Sequence, residues 1–292
     1  VDELDEINDP RGMIGVRLEM KGIILTGLKT LLHNTLRCVE RAGLEIVEIA
    51  LQPLAAGSLV LSKDEKDLGV AMVDIGGGST TVAVFENGHL ASTFVIPIGG
   101  ETITKDLSIV LRTTMEDAEK VKLKHGHAYY DDASEEEIFQ IPIIGSDQKL
   151  SCNQLMLAEI IEARLSEIFE LVMEQLRRQG FRDIPSGFVL TGGVVKMPGV
   201  LELAQGILQN RVRTAEPNYI GVREPQYTTA VGLLKYTWQK ARQQGISIGN
   251  SVVPTMPQKQ EKKQNRQPEM VPADEKYPKN PNEKGKIKKL LG

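Results

Sequence analysis

Residues 73–81 constrain the fold of this chain more than any other stretch. An apolar run over 68–73 leads into Asp74, three consecutive glycines and three hydroxyl residues, and a second apolar alternation follows at once. This order predicts a β-hairpin whose first turn is almost bare backbone. Glycines let a phosphate chain approach the backbone N–H groups, and Asp74 at the strand end could hold a hydrated Mg²⁺. The same turn is also compatible with a flexible Gly/Ser loop that binds nothing.

Interleaved strand and helix patterns predict an α/β body. Strands are predicted over residues 14–20, 23–25, 46–51, 68–73, 82–85, 90–98, 138–144 and 188–191. Helices are predicted over residues 28–42, 52–57, 103–110, 114–126, 151–180, 199–207 and 227–243. Two of these helices begin with the spacing of a capping box, Thr114 with Asp117 and Ser151 with Gln154.

The charge of the chain is uneven, and this bears on its partners. Residues 258–292 contain ten Lys/Arg and five Asp/Glu, whereas the other 257 residues contain 25 and 34. An acidic body argues against a nucleic-acid-binding protein, as does an aromatic content of 4%. A basic tail predicts contact with an anionic membrane surface.

The tail itself divides into two parts. Six of the 14 prolines fall between residues 254 and 281, among polar residues, which predicts a disordered linker over 245–283. Residues 284–292 predict a basic amphipathic membrane-targeting segment. Its candidate membrane contacts are Ile287, Lys288, Lys289, Leu290 and Leu291. Basic residues attract anionic lipid by about 1 kcal/mol each, but stable insertion requires a longer apolar face, so this segment is incomplete or is helped by polymer avidity.

The remaining composition excludes several classes of site. Cys38 and Cys152 lack metal-ligand spacing, which predicts buried free thiols in a reducing compartment. The four histidines are scattered, so we assign no metal to them, and no apolar run approaches the ~20 residues of a membrane span. The chain begins with Val1 inside an acidic segment, so we expect a fragment that lacks its natural start.

Three glycine-bearing turns in order carry a family resemblance. They occupy residues 74–80, 98–102 and 190–199, and the segment Gln52-Pro-Leu-Ala-Ala-Gly precedes them. Together they resemble the second half of the nucleotide-binding core of the actin/Hsp70/sugar-kinase superfamily. This resemblance implies an actin-like (ribonuclease H-like) core of mixed sheets flanked by helices, which binds ATP and Mg²⁺.

The resemblance also implies a role for each motif. Residues 74–80 match the second phosphate loop, in which Asp74 binds Mg²⁺ through water, and 192–199 resemble the adenosine motif. Glu119 and Lys122 resemble the ribose-facing pair, although they are equally compatible with a solvated helix face. Gln52 matches a residue that orients the attacking water, or it simply caps a helix. The implied nucleotide-binding residues are Asp74, Gly76, Gly77, Gly78, Ser79, Thr80, Gly99, Gly100, Glu101, Glu119, Lys122, Gly192, Gly193 and Met197.

Within that superfamily, residues 7–19, the Asp74 loop and the basic tail look like the FtsA family of bacterial cell-division proteins. The resemblance covers nearly all of residues 1–243. It implies an ATP-binding protein with at most slow ATPase activity, which polymerises and tethers FtsZ filaments to the inner face of the cytoplasmic membrane at the septum. The family's first phosphate loop and most of its small inserted subdomain are absent from this sequence.

The family's architecture implies a division of the chain. A remnant of the inserted subdomain (1C) occupies residues 1–26. Subdomain 1A consists of residues 27–64 and 225–244, subdomain 2A of residues 65–100 and 166–224, and subdomain 2B of residues 101–165. The linker at 245–283 and the tail at 284–292 follow. Subdomain 2B of the family binds the FtsZ C-terminal peptide. Arg164, beside Ile160, Ile161 and Leu165, suits an acidic peptide with aliphatic side chains, or is a surface arginine paired with Glu159, Glu162 or Glu167.

Two other functions in the superfamily have weaker support. A small-molecule kinase or phosphatase would need a carboxylate that activates its substrate opposite the γ-phosphate, and no acid stands out for this role. An Hsp70-like chaperone would need a peptide-binding domain, but residues after 243 lack strand alternation.

Overall fold

The computed structural model describes residues 12–17, 19, 22 and 24–243. The helices are α1 Lys29–Arg41, α2 Gln52–Val60, α3 Lys63–Leu68, α4 Gly100–Val110, α5 Met115–His125, α6 Gln154–Arg178, α7 Val200–Leu208 and α8 Thr228–Gln243. The strands are β1 Val70–Ile75, β2 Thr80–Glu86, β3 His89–Ile96, β4 Ile138–Pro142, β5 Lys149–Asn153, β6 Phe188–Thr191 and β7 Val212–Thr214. Short 3₁₀ turns occupy Tyr130–Asp132, Gly193–Lys196 and Pro225–Tyr227.

A mixed five-stranded sheet in the order β3-β2-β1-β6-β7 forms the centre of the protein. The first three strands of this order are antiparallel, and β1, β6 and β7 run parallel. In β1, Val73 and Ile75 pack on one face with α4 and α6, whereas Met72 packs on the other face with Ala56 of α2. The sheet is therefore covered by helices on both faces, and a small β4–β5 sheet stands apart from it.

The predicted hairpin is confirmed. Strands β1 and β2 pair antiparallel, with Asp74 opposite Thr81. The second turn, between β2 and β3, has Asn87 at φ 51° and Gly88 at φ 80°. These left-handed conformations suit a tight hairpin turn, which is why an Asn-Gly pair is such a clear local signal.

The strands predicted over 14–20, 23–25 and 46–51 are wrong for the residues that the structure describes. None of these ranges joins a sheet, and Ile14 and Val16 are fully exposed. Val47 and Ile49 are also more than half exposed. Apolar alternation indicates a strand only where a neighbouring strand and a core face are present to stabilise it.

The predicted Ser151 cap is also wrong. Ser151 lies in β5 opposite Gln140, and the strand continues to Asn153. Asn153 caps α6 instead, because its Oδ1 accepts the N–H of Met156 over 3.0 Å. The Thr114 cap is confirmed, since its Oγ1 accepts the N–H of Asp117 over 3.1 Å.

Helix α1 forms as predicted, but none of its residues is buried. Cys38 of this helix is consequently exposed, so the prediction of two buried thiols holds only for Cys152. The sequence patterns also missed α3 and β7, which are six and three residues long.

Several predictions concern residues outside the described part of the chain. These are the segment before residue 12, the linker at 245–283 and the tail at 284–292. The division into subdomains stays a prediction. Among the described helices, none combines the length and apolar character needed to cross a membrane.

Candidate nucleotide site

The glycine turn after β1 is fastened to the first turn of α4. Gly100 N donates to Gly76 O over 2.9 Å, and Glu101 N donates to Gly77 O over 2.8 Å. A Cβ on Gly99 would stand 2.5 Å from Gly77 O, so this close approach of two backbones requires glycine. Within the described residues, the N–H groups of Gly77 and Gly78 donate to no acceptor, and both residues are exposed. These two groups are therefore free to bind an anion.

Thr80 lies deeper than the turn itself. Its side chain is fully buried, and its hydroxyl donates to Ile98 O over 2.8 Å. This bond joins the start of β2 to the glycine pair before α4. Because the hydroxyl proton is already used, we leave Thr80 out of the proposed phosphate contacts. Ser79 is half-buried, and its carbonyl accepts the N–H of Gly76.

Asp74, the next-to-last residue of β1, belongs to a buried group of hydrogen-bonded side chains. Its Oδ2 accepts from Gln52 Nε2 over 2.8 Å and from Thr229 Oγ1 over 3.2 Å. Burial raises the pKa of this carboxyl group, and the hydrogen bonds from Gln52 and Thr229 oppose the shift. Gln52 does not cap α2, because its amide is turned to Asp74. No sequence pattern indicates Thr229, which is 155 residues from Asp74.

Gly192 brings the end of β6 against this carboxylate. Asp74 and Thr191 are neighbours in the parallel ladder, and Gly192 follows with φ 97°. A Cβ on Gly192 would stand 2.5 Å from Asp74 Oδ1, so only glycine fits here. The next residues form the 3₁₀ turn Gly193–Lys196, which places Met197 near the end of α5.

Lys122 and Glu119 of α5 meet the start of α4. Lys122 is 7% exposed, and its Nζ donates to Gly100 O, Thr104 Oγ1 and Glu119 Oε2 over 2.9, 2.7 and 2.7 Å. The three protons of the ammonium group thus have three acceptors. Burial acts to raise the pKa of Glu119, but the bonds from Lys122 and Thr104 outweigh it, so this pKa is lowered.

A cavity of about 840 Å³ opens between these elements. It is lined by Gly77, Gly100, Glu101, Glu119, Lys122, Gly193 and Met197 from the predicted set, with Ile103, Thr104, Met115, Glu116, Leu123, Gly126, Val194, Lys196, Pro198 and Gln226. The structure therefore gathers seven predicted residues from four separate motifs. The other predicted residues do not line the cavity: they are Asp74, Gln52, Gly76, Gly78, Ser79, Thr80, Gly99 and Gly192.

The geometry suits a nucleotide in two respects. The free backbone N–H groups of Gly77 and Gly78 are donors of the kind that bind phosphate oxygens. Asp74 is a buried carboxylate that forms no ion pair with any described residue, and it offers the hard oxygen that a hydrated Mg²⁺ binds. The described residues contain no group of three or more His, Cys, Asp or Glu placed for a metal ion, so Mg²⁺ would share its ligands with phosphate and water.

Arg164 lies away from this cavity, on α6. Its Nε donates to Asp106 Oδ2 of α4 over 2.6 Å, and its Nη1 donates to Glu167. One quarter of its side chain is exposed. The pairing with Glu167 is one that the alternative interpretation predicted, whereas Asp106 was not anticipated because it is 58 residues away. An acidic peptide would have to displace the carboxylates of Asp106 and Glu167 in order to bind Arg164.

Comparison with solved structures shows the fold. MreB5 of Spiroplasma citri bound to ADP superposes with a TM-score of 0.61 at 18% identity, over 76% of this chain and 69% of that one. A PilM-PilN type IV pilus biogenesis complex gives 0.55 at 18% identity, over 70% and 57%. The fold is actin-like, as the glycine turns predicted.

Sequence relatives identify the family. A family model described as cell division protein FtsA matches residues 71–232. Cell division protein FtsA of Bacillus subtilis is 64% identical over 249 residues, which is 85% of this chain and 57% of that protein. The protein of the same name from Enterococcus faecalis is 42% identical over 82% of this chain and 54% of its own length. The chain spans little more than half the length of these curated relatives, and it belongs to the FtsA family of cell division proteins.

Proposed function

We propose that this chain forms one side of the Mg-ATP site of an actin-like protein that polymerises and tethers FtsZ filaments to the membrane. The observation that carries the nucleotide part is the cavity of about 840 Å³ at which three glycine-bearing segments meet. An adenosine diphosphate or triphosphate fits this arrangement because backbone N–H groups that can bind phosphate lie at one end of the cavity, and Met197 and Gly193 line the other end.

Each part of the cavity receives one part of the nucleotide. The N–H groups of Gly77 and Gly78 bind phosphate oxygens, and Glu101 stands beside them at the start of α4. The side chain of Glu119 is 42% exposed, so its carboxylate can accept from ribose hydroxyls. Met197 and Gly193 line the adenosine end. The three hydrogen bonds of Lys122 join α5 to α4 at the side of the cavity, so its ammonium group is not directed at the nucleotide.

Asp74 is the residue of this chain that would hold Mg²⁺ through water. The metal would neutralise phosphate charge when bound. In the present arrangement, both amide protons of Gln52 are engaged, one with Asp74 and one with Thr229 over 3.4 Å. A glutamine held in this way does not orient an attacking water with its N–H groups. This supports at most slow hydrolysis, which would serve to switch the polymer rather than to turn over substrate.

The cellular part of the proposal rests on family membership. The FtsA family carries a cell-division role, and we place the protein on the cytoplasmic face of the membrane at the septum. Self-association into filaments follows from the actin-like fold. Arg164 is the proposed contact for the FtsZ C-terminal peptide, and the basic tail, outside the described residues, is the proposed membrane contact.

Nucleotide binding is tested by titrating the purified protein with a fluorescent ATP analogue, with Mg²⁺ and with EDTA. We expect Asp74→Ala to abolish the contribution of Mg²⁺ to affinity, because it removes the proposed ligand. Asp183→Ala, an exposed aspartate in the loop before β6, is the matched control and should bind as the wild type does. Unchanged Mg²⁺-dependent affinity in Asp74→Ala would remove the metal role.

The tethering role is tested by co-sedimentation with FtsZ and with anionic liposomes. Arg164→Glu should lose FtsZ, whereas Arg178→Glu on the same helix, where Arg178 pairs with Glu174, should retain it. Deletion of residues 284–292 should lose liposomes but keep FtsZ. Rapid ATP-dependent phosphorylation of a small sugar would instead support the kinase alternative.

A further inference from the structure

The hydroxyl of Thr229, in the first turn of α8, bonds to Asp74, which is 155 residues away in the sequence. Its Oγ1 donates to Asp74 Oδ2 over 3.2 Å and accepts from Gln52 Nε2 over 3.4 Å. Gln52 Nε2 also donates to Asp74 Oδ2 over 2.8 Å. Three side chains thus form a closed ring, in which two donors share one carboxylate oxygen.

We propose that Thr229 is a positioning residue of the Mg-nucleotide site. Its hydroxyl fixes the carboxylate of Asp74 in the orientation that offers Oδ1 to a hydrated cation. The inference rests on the proposed nucleotide function and adds to it a residue that no motif of the glycine-rich turns contains.

The backbone around Asp74 makes this orientation specific. Oδ2 faces Gln52 and Thr229, and Oδ1 faces the backbone of Gly192, where a Cβ would stand 2.5 Å away. The two carboxylate oxygens are equivalent, so a half turn would restore the same hydrogen bonds, whereas any smaller rotation would lengthen both of them. The ring therefore holds one oxygen on the side of α2 and α8 and leaves the other on the side of the β6 turn.

Helices α2 and α8, which supply Gln52 and Thr229 to this ring, pack closely against each other. A Cβ on Gly232 would stand 2.6 Å from Ala55 O, so the two helices cross in backbone contact one turn after Thr229. Thr228, the neighbour of Thr229, accepts from Thr191 Oγ1 over 2.7 Å in a fully buried pair. Consecutive hydroxyls of α8 therefore reach the ends of two adjacent strands, β6 and β1.

A simpler role for Thr229 is to fasten α8 to the sheet. That role predicts a loss of stability and an equal loss of nucleotide affinity with and without Mg²⁺. A positioning role predicts that affinity falls only in the presence of Mg²⁺, because only the cation uses the orientation of Asp74. The two roles are therefore separated by the Mg²⁺ dependence of binding.

The experiment compares Thr229→Val, Thr229→Ser and the control Thr237→Val, which makes the same change two turns later on α8. The readouts are the Kd for a fluorescent ATP analogue in Mg²⁺ and in EDTA, and the thermal midpoint. We expect Thr229→Val to weaken binding about tenfold in Mg²⁺ and not in EDTA, since a hydrogen bond to a charged group contributes on this scale. Thr229→Ser should restore the affinity, and Thr237→Val should leave both values unchanged.

A second measurement uses the Asp74→Ala background. There Thr229→Val should cause no further loss, because the carboxylate that Thr229 positions is gone. An equal loss in Mg²⁺ and EDTA, or a full additional loss in the Asp74→Ala background, would overturn the inference and leave the nucleotide function intact. Absence of binding by the wild-type protein would overturn the proposed function and this inference with it.

Discussion

Lys122 Nζ donates to the carbonyl oxygen of Gly100 across 2.9 Å, so a buried cation of α5 is tied to the first residue of α4. Gly100 in turn donates its N–H to Gly76 O in the glycine turn. Gly100 therefore links the side chain of Lys122 to the glycine turn that contains the proposed phosphate contacts, Gly77 and Gly78. A residue that resembles a ribose contact in sequence acts in this structure as the support of the phosphate turn.

Replacement of Lys122 by Met should test this support. Met keeps the apolar stem but removes the donor for Gly100 O and Thr104 Oγ1, so we expect a loss of about 1–3 kcal/mol in the free energy of unfolding. Nucleotide affinity should fall as well, because α4 no longer holds the turn. Urea unfolding measures the first effect and titration the second. Lys120→Met, at an exposed position two residues earlier, should change neither quantity, and equal losses in both variants would contradict the prediction.

The crossing of α2 and α8 gives a second prediction. Gly232→Ala should destabilise the protein, although Ala is favoured over Gly by about 1 kcal/mol within a helix. The new Cβ would stand 2.6 Å from Ala55 O, which is backbone and cannot move aside, and overpacking of this kind costs about 1–3 kcal/mol.

Gly206 in α7 is the matched control for Gly232. No atom lies within 4 Å of a Cβ at this position, so Gly206→Ala should stabilise by about 0.5–1 kcal/mol. Both variants are measured by urea unfolding under the same conditions. Stabilisation by both substitutions would show that the two helices can separate without cost, and that α8 does not hold Thr229 rigidly.

Local signals in the sequence predicted the local parts of the site correctly. Phe188–Thr191 forms the predicted strand, and the turn at Asn87-Gly88 adopts the two left-handed conformations that its sequence favours. These features depend on residues within a few positions of each other, so a single stretch contains all the information. The same holds for the Thr114 cap, whose acceptor and donor are three residues apart.

Contacts between distant elements were not predictable from these patterns. Thr229 meets Asp74 across 155 residues, and Arg164 meets Asp106 across 58. The cap of α6 was misplaced because pairing of β5 with β4 extends the strand through Ser151. In each of these cases the partner is set by tertiary packing, which a period or a spacing in one segment does not encode.

The ion pair between Glu65 and Arg213 gives a pH-dependent prediction. Arg213 Nε and Nη2 each donate to Glu65 over 2.8 Å, and this bonding lowers the pKa of Glu65 while its burial opposes the shift. A carboxyl group whose pKa is lowered by folding stabilises the protein above its unfolded pKa. That contribution is lost as the pH falls through the lowered folded pKa.

Glu65→Gln should therefore cost about 1 kcal/mol at pH 7, and this cost should disappear as the pH falls through the lowered pKa of Glu65. Gln retains a side-chain oxygen for the Ser62 N–H, so the change isolates the ion pair from the cap of α3. Urea unfolding across this pH range provides the measurement. Glu170→Gln, an equal charge change at an exposed site on α6, should show no such pH dependence. A deficit of Glu65→Gln that did not shrink as the pH fell would assign the effect to packing.

The side chain of Thr113, between α4 and α5, gives the last prediction. It is fully buried, and its Oγ1 has no hydrogen-bond partner in the part of the chain that the structure describes. Val has nearly the same shape, so Thr113→Val should raise the free energy of unfolding by about 1 kcal/mol by removing a polar group that is buried without a partner. Thr104→Val is the matched control: its hydroxyl accepts from Lys122 over 2.7 Å and has two alternative acceptors for its single proton, Gly100 O and Glu119 Oε2, so the same change should destabilise by about 1–3 kcal/mol. A loss of stability in both variants, measured by urea unfolding, would mean that the hydroxyl of Thr113 has a partner in solution.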